Sequence, residues 1–310
     1  MRILIVGAGA LGGYFGGRLA QAGRDVTFLV RPRRAEALGK TGLVLISPFG
    51  DFQLAAPQLA TEDRLRVPFD LILLSCKAYD LDGAMASFTA AVGPRTAILP
   101  MLNGMRHLDV LAARFGAEKC LGGLCQISAT LDGEGRILHL NDLHSLVFGE
   151  LDGAKTARME TITAALDNAG FDAQPSPAIR QEMWEKWIFI AALAGITSLM
   201  RATVGDIVAS GSGEIALGLF EECALIAKAH GFAPRPEANE RSRSILTAPG
   251  SPIMASMLRD IEAGKPIEGE QILGDLLRRG QAMGQERSLL RIAYAHASVY
   301  DARRARIAKL

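Results

Sequence analysis

MRILIVGAGALGGYFGGRLAQAG, residues 1–23, opens on an apolar run and then carries seven glycines. Glycine weakens helices and strands alike, so bare backbone must be needed at Gly7, Gly9 and Gly12. Ile3–Val6 has the character of a strand, and Ala10–Ala22 that of a helix stopped at Gly23. GAGALG at 7–12 therefore fits G-x-G-x-x-G at a strand–helix junction.

In that context each glycine has a physical task. Gly7 makes the tight turn, Gly9 lets a pyrophosphate approach the backbone, and Gly12 lets the helix pack on the strand. The amides of Ala10, Leu11 and Gly12 open the helix, where unpaired N–H groups and the dipole favour an anion. The hexapeptide alone is weak, and its place at the first strand–helix junction of an alternating chain is what gives it weight. The second strand, Val26–Val30, runs into Arg31, Pro32, Arg33 and Arg34. A carboxylate for a ribose 2′-hydroxyl is missing there, and guanidinium groups suit a 2′-phosphate. NADP(H) is the cofactor expected, with Arg31 as its primary contact.

The alternation continues outward. Pro32–Gly39 reads as a short helix, Leu43–Ile46 and Asp70–Ser75 as strands, Leu81–Ala91 as a helix and Thr96–Leu99 as a strand. Short strands are expected at Leu121–Ala129, Ile137–Leu140 and Ser145–Phe148, and a helix over Ala154–Ala169. The pattern predicts an α/β domain with a doubly wound parallel sheet of Rossmann type. Pro175 and Pro177 mark a boundary, giving domains at 1–173 and 174–310. Beyond it nearly everything reads helical: Ile179–Met200, Gly213–His230, Pro236–Leu246, Pro252–Ala263, Ile267–Met283 and Ser288–Arg306.

Composition narrows the function classes. Net charge is +1, so no global field draws the chain to nucleic acid or an anionic membrane. The longest apolar stretch, Trp187–Met200, is 14 residues, short for a bilayer span and suited to a core helix. Cys76, Cys120, Cys125 and Cys223 form no CxxC, as expected of reduced thiols in a cytoplasmic protein. His139 and His144 bracket LNDL without a metal-ligand spacing, and a polar hairpin with no metal is expected there. The basic tail, Arg303, Arg304, Arg306 and Lys309, reads as a solvated helix end.

GAGALG, SCKAYD with Lys77, PMLNGM with Asn103, EKW with Lys186, and SMLRDIEAGKPIEGEQILG with Ser256 and Glu268 twelve residues apart follow in order along nearly the whole chain. Together they resemble the ketopantoate reductase (2-dehydropantoate 2-reductase) family. The resemblance implies a Rossmann domain followed by an all-helical substrate and dimerisation domain, an arrangement like that of 6-phosphogluconate dehydrogenase. It implies NADPH-dependent reduction of a 2-keto acid, as in pantothenate biosynthesis, and leaves a homodimer open. Lys186 would be the proton donor, and Glu268 would hydrogen-bond the substrate and steady the lysine. Ser256 would bind the substrate carboxylate, Asn103 would touch cofactor and substrate, and Lys77 would lie along the cofactor.

One departure stands out. The family usually has asparagines four and eight residues after the lysine, where this chain has Ile190 and Ala194. These two substrate-binding positions have lost amide hydrogen bonds, which puts ketopantoate itself in question. Arg201, further along the same face, could replace the amides. Two other readings stay open: a 3-hydroxy-acid or opine-type dehydrogenase of the same plan, and a non-catalytic NADP(H)-binding redox sensor.

Overall fold

The computed structural model describes residues 1–284 and 288–308. Its chain divides into two compact units. Unit 1 comprises Met1–Leu102 and His107–Arg180, and unit 2 comprises Asn103–Arg106 and Gln181–Leu310. The first unit thus runs past residue 173, because Asp172–Pro175 is a strand paired with Ser145–Phe148.

Unit 1 is built on a five-stranded parallel sheet. Its strands are β1 (Arg2–Val6), β2 (Asp25–Leu29), β5 (Leu59–Ala60), β6 (Leu71–Leu74) and β7 (Ala97–Pro100), in the order β5-β2-β1-β6-β7. Continuous apolar runs form these strands because both faces are covered. Along β6, Leu71 and Leu73 enter one core with Ile3 and Ile5. Ile72 and Leu74 enter the other with Leu4, Val6, Met85, Phe88 and Leu111. The period-2 alternation of strand side chains makes that division.

A second sheet joins β3 (Leu43–Ile46), β4 (Phe52–Leu54), β8 (Leu121–Leu131), β9 (Ile137–Glu150) and β10 (Asp172–Pro175). The strand expected at Leu43–Ile46 belongs to this sheet, antiparallel to β4 and parallel to β9. The two short strands expected at Ile137–Leu140 and Ser145–Phe148 are one 14-residue strand, paired antiparallel to β8. The LNDL segment is therefore no hairpin, and the turn lies at 132–136.

Helix α1 (Ala10–Gln21) lies against both sheets, which accounts for its glycines. A methyl at Gly16 would sit 2.6 Å from Phe28 of the first sheet, and one at Gly13 would sit 2.4 Å from Ile137 of the second. Four further helices complete the unit: α2 (Pro32–Thr41), α3 (Leu81–Phe88), α4 (Arg106–Phe115) and α5 (Ala157–Leu166). Helix α4 was not expected, although Leu108 and Leu111 mark its buried face.

Unit 2 is helical. Its elements are α6 (Ile179–Met200), α7 (Val204–Ala209), α8 (Gly213–Ala229), α9 (Pro236–Leu246), α10 (Ser256–Glu262), α11 (Asp275–Ala282) and α12 (Ser288–Ile307). Helix α6 is the core: Trp187, Ile188, Ala191 and Ala192 are fully buried. It is long and apolar enough to cross a membrane by composition, yet 72% of its apolar window is buried in the protein. Such all-round apolarity suits a central helix. Two expected helices are shorter than the periodicity suggests. Helix α10 begins only at Ser256, and the segment ahead of α11 opens with a π-helical turn, Glu270–Gly274. Arg303 and Arg306 at the end of α12 are exposed, and Lys309 lies outside the described residues.

Candidate active site

In unit 1 the chain leaves β1 through Gly7, whose φ of +95° only glycine adopts readily. The Gly7 amide donates to Leu29 O at 2.9 Å. The Ser75 hydroxyl, from the end of β6, lies 2.9 Å from Val6 O and 3.1 Å from Gly7 O and donates to this carbonyl pair. The turn is thus pinned by both neighbouring strands. A methyl at Gly12 would fall 2.1 Å from Gly7 O and from Ser75 Oγ, so Gly12 is required by packing alone. Gly9 differs: nothing lies within 4 Å of where its Cβ would be. No protein atom explains its glycine, and the open flank leaves room for a ligand at the start of α1. The first helical bond runs from Gly13 N to Gly9 O, and Gly9 supplies no side-chain cap. The amides of Ala10, Leu11 and Gly12 are the orphan donors of that helix end.

The three arginines after β2 separate by role. Arg34 is half-buried; its Nε donates to Ala8 O at 3.2 Å and its Nη2 to Gly135 O at 3.1 Å. Burial pulls this guanidinium below its ordinary pKa. Arg34 is a brace between the glycine turn and the β8–β9 turn. Arg33 is exposed. Arg31 is also exposed, and its Nη2 meets Asp80 Oδ1 at 2.8 Å. Asp80 closes a short 3-10 turn, Ala78–Asp80, that begins just after Lys77. Reasoning from sequence missed this pairing, because 49 residues separate the partners.

In unit 2, Lys186 is half-buried on α6 between two anchored neighbours. Glu185, 7% exposed, accepts from Arg235 Nε (2.8 Å), Arg235 Nη2 (2.6 Å), the Arg235 amide (2.9 Å) and Gln181 Nε2 (3.0 Å). Burial alone would raise this carboxyl, but the Arg235 and Gln181 bonds hold it below the usual carboxylate range. Trp187, on the other side, donates from Nε1 to Ile272 O at 2.9 Å. Successive helix residues point about 100° apart, so two fixed neighbours set the direction left to Lys186.

The Trp187 bond ends on the π-helical turn, which follows directly on Glu268 and Gly269. Glu268 is buried, 8% exposed, and its carbonyl accepts from the Ile272 amide at 2.9 Å. From the same turn, buried Gln271 donates its Nε2 to Asn103 O at 3.1 Å. Gly104, with φ of +81°, lies so near Gln271 that a methyl there would meet its backbone oxygen at 3.1 Å. Farther along α6, fully buried Thr197 donates to Leu193 O (2.6 Å) and accepts the Ala255 amide (3.4 Å), just ahead of Ser256. Three hydrogen bonds thus tie together the segments bearing Lys186, Glu268, Asn103 and Ser256. No sequence signal singled out Gln271.

Of the positions that lack asparagine, Ile190 is half-buried and Ala194 is 2% exposed. Arg201 lies beyond both positions. It follows the end of α6 in a left-handed conformation (φ 53°), eleven residues past Ile190 and seven past Ala194.

The histidines of β9 are structural ties. His139 Nδ1 lies 2.9 Å from Ser47 Oγ and its Nε2 3.0 Å from Leu143 O, while His144 Nδ1 lies 2.8 Å from Tyr14 Oη. Phe49 stacks on the His144 ring at 3.7 Å, and burial lowers the pKa of His144.

Comparison with known proteins places this geometry. The model of the family described as ketopantoate reductase PanE/ApbA matches residues 3–153, and that of its C-terminal part matches residues 178–301. An uncharacterized oxidoreductase of Bacillus subtilis, YkpB, is 37% identical over 97% of this chain and 99% of its own length. A 2-dehydropantoate 2-reductase of Archaeoglobus fulgidus is 29% identical over 91% of this chain and 92% of its own. The crystal structure of 2-dehydropantoate 2-reductase from Geobacter metallireducens superposes with a TM-score of 0.87 at 29% identity, covering 96% of this chain and 99% of that one. With both family models matched across its length and this fold beneath them, the chain belongs to the ketopantoate reductase family of oxidoreductases.

Proposed function

We propose that this chain reduces a 2-keto acid to the 2-hydroxy acid with NADPH, and that Lys186 donates the proton. The observation that carries the reading is the set of three hydrogen bonds, Trp187–Ile272, Gln271–Asn103 and Thr197–Ala255, joining the segments of all four candidate residues. The open flank of Gly9 at the start of α1 fits a pyrophosphate, and exposed Arg31 fits a 2′-phosphate. When bound, the reduced nicotinamide supplies hydride to the substrate's C2. Lys186 Nζ gives its proton to the carbonyl oxygen as negative charge grows there. Glu268 accepts from the substrate hydroxyl and steadies the ammonium, Ser256 donates to the substrate carboxylate, and Asn103 orients the reacting end. Lys77 lies along the cofactor.

Ile190 and Ala194 shape the substrate class. Methyl groups there cannot reward a hydroxyl, and burying an unpaired hydroxyl costs free energy. A 2-keto acid with an apolar side chain is therefore preferred to ketopantoate. The test compares ketopantoate with its deoxy analogue at saturating NADPH, in wild type and in the double variant Ile190→Asn, Ala194→Asn. The deoxy substrate should have the higher kcat/KM in wild type, and the double variant should shift preference toward the hydroxylated one. Ketopantoate winning by about tenfold, roughly 1.4 kcal/mol, would restore the plain family activity. Failure of every 2-keto acid to oxidise NADPH would overturn the reductase reading.

A further inference from the structure

The end of β2 carries an arginine where a carboxylate would mark an NAD site, yet a carboxylate is present. Asp80 brings it from the turn after β6, and its Oδ1 lies 2.8 Å from Arg31 Nη2. In the sheet order β5-β2-β1-β6-β7, strands β2 and β6 flank β1 on either side. Their carboxyl ends therefore bracket the glycine turn that leaves β1, the edge at which open parallel sheets hold ligands. Asp80 also stands at the N-cap position of α3, where aspartate usually caps with its side chain. It makes no such bond and is turned to Arg31 instead. Both side chains reach solvent, at 78% for Arg31 and 38% for Asp80, so a ligand has access to the pair.

We propose that Asp80 is a specificity-determining residue that narrows the preference for NADPH and admits NADH. This rests on the reading of Arg31 as the contact for the 2′ position of the cofactor ribose. An arginine alone would reward a 2′-phosphate with a charge-assisted bond. Here a phosphate must compete with a carboxylate already on that arginine, and it gains a like charge as neighbour. A free 2′-hydroxyl meets no such penalty. It donates to the Asp80 carboxylate, which Arg31 holds in place. The arginine–aspartate pair is thus a reader for both ribose forms, assembled from two loops instead of one.

The experiment titrates NADPH and NADH into wild type, Asp80→Asn and Arg31→Ala, following nicotinamide fluorescence without substrate, with circular dichroism confirming the fold. Wild type should bind the two cofactors within about tenfold of each other. Asp80→Asn should tighten NADPH about tenfold, as expected for removing one charge near a dianion in a solvated site, and should weaken NADH. A rise of fivefold or more in the NADPH/NADH affinity ratio supports the proposal; a smaller change, or a fall, overturns it. Arg31→Ala separates the two levels. If it leaves NADPH binding unchanged, the reading of Arg31 itself fails. If it weakens NADPH while Asp80→Asn leaves the ratio alone, only the role of Asp80 fails.

Discussion

At the scale of the residue, Lys186 shows how neighbours assign a task. Glu185 is consumed by Arg235 and Gln181, and Trp187 by the Ile272 carbonyl, so the helix cannot rotate to bury or release the lysine without losing buried bonds. Breaking such bonds costs about 1–3 kcal/mol each. If Lys186 is the acid, as proposed, Lys186→Ala should lower kcat by at least a hundredfold, because the amine then acts where charge develops in the transition state. NADPH affinity, measured by fluorescence titration, should stay within about threefold of wild type. Near-normal turnover would remove Lys186 as the acid, and loss of NADPH binding would give it a structural role instead. The lysine could be named from the EKW motif. The bonds that aim it could not, since Arg235 lies 50 residues from Glu185 and Ile272 lies 85 from Trp187.

The element that joins sequence to function most directly is the turn into α1. Its glycines look alike in the sequence and differ in the structure. Gly12 is hemmed by Gly7 O and Ser75 Oγ, whereas Gly9 faces open space. The two positions should therefore separate folding from binding. Gly12→Ala should cost about 3 kcal/mol of stability through overpacking against backbone, measured by denaturant unfolding. Gly9→Ala should leave stability within about 0.5 kcal/mol, because φ of −85° is open to alanine. If the pyrophosphate approaches there, as proposed, the added methyl should weaken NADPH at least tenfold. A Gly9→Ala protein that binds NADPH normally would place the pyrophosphate elsewhere. On β9, by contrast, local signals misled. The polar LNDL stretch suggested a turn, but β8 pairs along the strand on both sides of it, with a register shift between Ile127 and Ala129. The pairs Ile127–His144 and Ala129–His139 leave residues 140–143 looped out as a bulge, so the turn preference of Asn141 and Asp142 is spent inside a continued strand.

At the scale of the whole molecule, both tryptophans, Trp184 and Trp187, belong to unit 2, so their fluorescence follows that unit. Glu185 follows Trp184 directly and stands two residues before Trp187, and its pairing with Arg235 makes the unit's unfolding acid-sensitive. Because the folded pKa of Glu185 is depressed, its contribution is complete above the unfolded value, about 4.3, and fades as pH falls through the lower folded one. Glu185→Gln should lower stability by about 2 kcal/mol at pH 7, measured by fluorescence-detected urea unfolding. Its deficit against wild type should shrink below pH of about 4. A deficit independent of pH would mean that shape, not charge, holds the site. Pattern along the chain determined the alternating α/β half, the helical second half, the glycine turn and the motif residues, because these depend on local periodicity and on backbone needs within a few residues. Only the tertiary structure could decide that Leu43–Ile46 joins a second sheet, that Gln271 holds Asn103, that Arg34 braces a turn, and that Arg31 meets a carboxylate from another loop. Each of these joins residues dozens of positions apart, and such partners are chosen by how strands order and helices pack, which no local stretch of sequence encodes.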